Sequence, residues 1–109
     1  MHHVAIDDYV IDVLLPDLTG HDRSPAAFLV YVVLWTGLYR SEQRTIAISL
    51  RQFVELTGLS NSAVQRAICL LERRRLIHIA RTSATTVPEY ALIRHWLRRR
   101  VSHSPLNLP

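Results

Sequence analysis

The sequence predicts a mainly α-helical domain with a small antiparallel β-sheet toward its C-terminal end. Three observations carry that expectation. Apolar residues recur at helical spacing over several stretches, three of which follow a serine able to cap a helix (Ser24, Ser49 and Ser60). Two short segments after residue 75 alternate apolar and polar side chains, the period of a half-buried strand. The length of 109 residues, with 49% of them apolar, suits one domain able to bury roughly 65% of its unfolded surface.

Taken in order, residues 5–15 (AIDDYVIDVLL) set Ile6, Val10, Val13 and Leu14 on one helical face, with Asp7 and Asp8 where the helix dipole favours anions. Pro16 is expected to end that helix and LTGHDR to form a loop. Ser24 then caps, and Pro25 starts, a second helix running to about Tyr39. This helix is apolar nearly all round, so Phe28, Val32 and Trp35 need more than one neighbour to cover them. It is expected at the centre of the core, a dimer seam being the alternative. TIAIS reads as a short strand. Ser49 caps the helix LRQFVELTG, and Gly58 supplies the left-handed residue at its end. Leu59 plugs the turn, and Ser60 caps a helix over 60–75. Helix, glycine turn and capped second helix is the sequence form of a helix-turn-helix, whose second helix enters the DNA major groove.

The composition of that second helix is the most informative feature. At about 100° per residue, Val64, Ala67, Ile68 and Leu71 share one face. Ser62, Gln65, Arg66, Cys69 and Arg73 lie opposite, and Glu72 falls to the side, so the outer strip has no acid. Glutamine and arginine are the residue types that read adenine and guanine edges, with serine more permissive. The bland alternative is a solvated polar face. Charge is also polarised along the chain. Residues 1–45 carry three Arg against six acids (−3), whereas residues 46–109 carry ten Arg against Glu55, Glu72 and Glu89 (+7). A basic half on a small domain is the footprint of a polyanion binder. The lack of Lys suits bidentate contacts but equally reflects genome bias.

Beyond this helix, LIHIAR (about Leu76 to Arg81) and PEYALI read as two strands joined by the turn TSATTV. They form a wing over 77–92, and Pro88 is expected to make its return strand an edge of a two- or three-stranded sheet closed by TIAIS. RHWLRRR reads as a short helix docking Trp96 and Leu97. SHSPLNLP, residues 102–109, reads as a disordered tail behind a single domain over 1–101.

The stretch ISLRQFVELTGLSNSAVQRAICLLERRRLI resembles the winged helix-turn-helix of bacterial regulators of the GntR and MarR type, and the resemblance covers about residues 46–92. The two leading helices resemble those of phage and plasmid replication-initiation proteins. The resemblance implies double-stranded DNA as partner, the second helix as reader, and often a homodimer. One departure concerns Arg75, which stands where the pattern has glycine before LI. The helix must therefore end without a left-handed glycine or strain an arginine there.

The candidate DNA-binding residues are Arg51, Ser60, Asn61, Ser62, Gln65, Arg66, Arg73, Arg74, Arg81, Thr82, Ser83 and Thr85, with Thr86 beside them on the wing. No enzyme activity, cofactor or metal is expected. The six histidines show no metal-ligand spacing, and three glycines make no phosphate loop. The lone Cys69 excludes an internal disulfide framework. It is either a redox sensor on the DNA face or a small residue tolerated at the edge of a helix. The longest apolar run, Ala26 to Trp35, falls short of the ~20 residues that span a bilayer, so a soluble, cytoplasmic protein is expected. The expected function is transcriptional regulation. The alternatives are a replication-initiation or maintenance protein using the same domain, and a protein-interaction module that keeps the fold without DNA binding.

Overall fold

The computed structural model describes residues 2–81 and 86–97. It is mostly helical with one three-stranded antiparallel sheet. The proposed tail over 102–109 and the wing tip over 82–85 lie outside the described residues.

The leading segment departs from expectation. Pro16 does not end the first helix: residues 8–21 are continuously helical and include two π-helical turns, Val10–Leu14 and Asp17–His21. The N–H of Leu15 bonds to the carbonyl of Val10, and that of Asp22 to Asp17 at 2.9 Å, both five residues back. Proline has no N–H to contribute and its ring crowds the preceding turn, so a turn widened by one residue accommodates it without breaking the run. Widening also aligns residues four apart. Val10, Leu14 and Leu18 are buried in a line, whereas Val13, expected on the same face, is 39% exposed.

Helix α1 (Pro25–Ser41) starts as anticipated, with Ser24 Oγ accepting from the N–H of Ala27 at 3.1 Å and Pro25 in the first turn. It is the central element, packing on α3, α2, the second π-helical turn and the sheet. Ala27, Val30, Tyr31, Leu34, Trp35 and Leu38 are buried. Of the residues that needed covering, Trp35 is buried and Phe28 and Val32 are half-buried within this one chain. A β-carbon on Gly37 would come within 2.6 Å of Ile46 Cδ1, the tip of that side chain, so a larger residue there would make Ile46 turn aside.

Strand β1 (Ile46–Ala47) leads into α2 (Leu50–Thr57), which opens with a full capping box. Ser49 Oγ accepts from the N–H of Gln52, and Gln52 Oε1 accepts from the N–H of Ser49 at 2.8 Å. Helix α3 spans Asn61–Arg73, and strands β2 (Ile77–Ala80) and β3 (Glu89–Leu92) follow. The sheet order is β1-β3-β2, with Ile46 and Ile79 both opposite Tyr90. The return strand is thus central rather than an edge. Pro88 stands just before the paired residues, where its missing N–H leaves no gap in the ladder. Residues 95–97 are helical, and Trp96 is buried with its Nε1–H donating to Asp7 Oδ2 at 2.9 Å.

Candidate nucleic-acid interface

The connection from α2 to α3 is built from short-range bonds that fix the angle between the two helices. Gly58 adopts φ +77° and donates to Val54 O at 2.8 Å. Thr57 Oγ1 donates to Phe53 O at 2.6 Å and accepts from the N–H of Leu59 at 3.1 Å. Ser60 Oγ caps α3 through the N–H of Ala63 at 3.2 Å. Val64, Ala67 and Leu71 are buried and Ile68 packs against the same core, which pins the opposite side outward.

That outward side carries Asn61, Ser62, Gln65, Arg66, Cys69 and Arg73, all exposed. Glu72 is exposed at its margin. Arg51, on α2, forms an exposed i,i+4 pair with Glu55 at 3.4 Å, the two side chains 87% and 62% exposed. Such a pair contributes little in water and leaves the guanidinium available to a phosphate. Ser60 is engaged as a cap and its hydroxyl lies 3.4 Å from that of Ser62, so both serines sit at the entry to α3. Arg81 is exposed at the end of β2, close enough to Tyr90 to oppose a rise in its pKa. Burial pushes that phenol up, Arg81 pulls it down, and Glu72 pushes it up. Thr86 is exposed ahead of β3. Thr82, Ser83 and Thr85 lie outside the described residues.

Arg74 is the exception among the candidates. Its Nη1 donates to Asp22 and its Nη2 to Asp17, so the guanidinium clamps the end of α3 to the second π-helical turn and the residue after it. The hydrogen bond that Arg74 donates to Asp17 is the largest cause holding its pKa above the ordinary value; burial opposes the rise, and the charge of Asp22 adds to it. Arg74 is therefore a cross-link of the fold rather than a member of the outward strip. Its acidic partners lie 52 and 57 residues away in sequence, and no local pattern announces them.

The end of α3 resolves the question posed by Arg75. Leu76 N–H bonds to Leu71 O and Arg75 N–H to Glu72 O, each at 2.9 Å, with Leu76 and Leu71 both buried. This is a Schellman closure, and Arg75 occupies its left-handed position at φ +56°. The strained arginine is the alternative realised, and its side chain is exposed.

Among the described residues, no group of three His, Cys, Asp or Glu is placed to hold a metal ion, and no helix is long and apolar enough to cross a membrane. Comparison with protein-family models, with curated proteins and with solved structures gives no match for this chain.

Proposed function

We propose that this chain is a winged helix-turn-helix protein that binds double-stranded DNA sequence-specifically and acts as a transcriptional regulator. The observation that carries the proposal is the outward strip of α3, where Gln65 and Arg66 stand exposed with Ser62 and Arg73 and without an acid among them. In this proposal α3 enters the major groove, Gln65 and Arg66 read base edges, and Arg73 and Arg51 contact phosphates. The β2–β3 hairpin is the wing and places Arg81 on the flanking backbone. A homodimer on a two-fold-symmetric site is the proposed assembly, which sedimentation velocity with and without duplex tests.

The deciding experiment is binding to a mixed duplex pool from ~50 to ~200 mM salt. Each phosphate neutralised contributes a slope of about −0.9 in log affinity against log salt, so four contacts weaken binding by about 150-fold over that range. Arg73→Ala should flatten the slope by about one contact. Arg66→Ala should cost about 1–3 kcal/mol on a selected site and relax its sequence preference. Wild-type binding no stronger than that of an acidic control protein, with no effect of Arg66→Ala, would favour an interaction module instead. Enriched sites in repeated arrays rather than at promoters would favour the replication-initiation alternative.

A further inference from the structure

The leading segment meets the end of α3 at a corner that the DNA-binding proposal leaves unused. Arg74 donates to Asp17 and Asp22, and each member of the Asp22–Arg74 pair is followed by an arginine in the left-handed conformation, Arg23 at φ +54° and Arg75 at φ +56°. Left-handed backbone is disfavoured for a residue with a β-carbon and persists only where the surrounding structure imposes it, often at functional sites. Around Arg23 the imposition is visible. The N–H of Asp22 bonds to Asp17 O at 2.9 Å, that of Ser24 bonds to Leu18 O at 2.8 Å, and Ser24 caps α1. Backbone bonds on both sides thus hold Arg23 in place independently of the Arg74 pair.

Arg23 is exposed, and no acid lies within ion-pair distance of it among the described residues. Asp17 and Asp22 are both engaged by Arg74, so the corner holds Arg23, Arg73, Arg74 and Arg75 against two acids. Its position relative to α3 follows from the helical period. With Val64 at zero, the outward strip runs from about 100° at Gln65 to about 200° at Arg66, Glu72 lies short of it at about 80°, and Arg74 lies beyond it at about 280°. Glu72 shares a surface depression with Ile79 and Arg81, so that flank of α3 faces the β2–β3 hairpin. The Arg74 flank faces the turn that carries Arg23. The outward strip therefore runs between two exposed arginines from distant parts of the chain, Arg81 on one side and Arg23 on the other.

A major groove about 12 Å wide admits one α-helix, and each of its rims is a phosphate strand. A helix lying in the groove has phosphates on both flanks, and Arg81 is placed toward only one of them. We propose that Arg23 is a further DNA contact, its guanidinium taking a phosphate on the strand that borders α3 on the side away from the β2–β3 hairpin. This contact rests on the DNA-binding reading and extends it to a residue of the acidic half of the chain.

A salt titration of the full chain on a duplex selected from a mixed pool tests the contact. Arg23→Gln should flatten the slope of log affinity against log salt by about 0.9, so that from ~50 to ~200 mM it loses about 3.5-fold less affinity than the wild type. Arg23→Gly removes the left-handed strain together with the charge and should flatten the slope equally, which separates a lost contact from misfolding. Arg40→Gln makes the same change of charge in the last turn of α1, roughly 20 Å along its axis, and should keep the wild-type slope. Phosphate-ethylation interference on the same duplex should be lost on one strand with Arg23→Gln and on the other with Arg81→Gln. The contact is overturned if the wild type binds with a slope that Arg23→Gln leaves unchanged, if Arg40→Gln flattens it as much, or if the Arg23 and Arg81 variants lose the same phosphates. A wild type that binds no duplex overturns the DNA-binding reading and this contact with it.

Discussion

Replacing Arg75 by glycine should make the protein more stable, although it removes a charged side chain and adds a flexible residue. Arg75 closes the Schellman motif of α3 at φ +56°, where an L-residue pays about 1–2 kcal/mol through the approach of its β-carbon to the following carbonyl. Glycine has no β-carbon, but it increases the entropy of the unfolded chain by about 0.5–1 kcal/mol. The difference leaves a net gain of roughly 0.5–1 kcal/mol, equivalent to about 2–6 °C in Tm for a domain of this size. Arg75→Ala is the control, because it discards the guanidinium and keeps the strain, so it should leave Tm nearly unchanged. Thermal and urea denaturation of the three proteins decide the matter. The reasoning is refuted if Arg75→Gly is no more stable than Arg75→Ala. If the exposed guanidinium touches a phosphate, both variants should lower the DNA salt slope by about 0.9.

Arg74→Ala should act in the opposite sense, lowering stability by about 1–2 kcal/mol because Asp17 and Asp22 lose their shared partner, while the DNA salt slope measured on the folded variant stays at the wild-type value. Tyr31→Phe should raise stability by up to about 1 kcal/mol in urea denaturation, since the Tyr31 hydroxyl is buried and has no hydrogen-bond partner among the described residues. Burial raises the pKa of Tyr31 and Tyr90 above the ordinary 10.0. Their contribution to stability is therefore complete below about pH 10 and is lost as pH rises toward the folded-state values. In an alkaline titration followed by phenolate absorbance, Tyr31 and Tyr90 should ionise together with unfolding; ionisation of both in the folded protein would contradict the burial account.

Residues whose partners lie within a few positions were legible in the sequence. Ser24, Ser49 and Ser60 each accept the backbone hydrogen bond expected of a cap, and Gly58 takes the left-handed turn. The buried stripe Val64, Ala67 and Leu71 follows from the 3.6-residue period alone. Features set by distant partners were not legible. The pairing of Arg74 with Asp17 and Asp22 joins two segments more than fifty residues apart, and the same arginine read locally was one more cation on a basic helix. That TIAIS closes the sheet was legible, but its pairing with β3 rather than β2, which makes β3 central, is encoded in no strand pattern. Pro16 misled for a local reason. A proline rule written for α-helices does not anticipate a turn that closes five residues back. The contact of the Arg94 guanidinium with the Trp35 ring was likewise not legible, because the two residues meet only in three dimensions.

The clasp between Asp7 and Trp96 has a kinetic consequence. Its hydrogen bond closes a loop of 89 residues, whereas the Trp35 bond to Ala5 spans 30. Contacts separated that widely in sequence carry the larger closure entropy and tend to form late. The chain has only these two tryptophans, so each serves as a clock for a different event. In a stopped-flow refolding experiment with Trp96→Phe, the remaining signal from Trp35 should report the joining of the leading segment to α1. With Trp35→Phe, the signal from Trp96 should report the moment at which the segments carrying Asp7 and Trp96 meet.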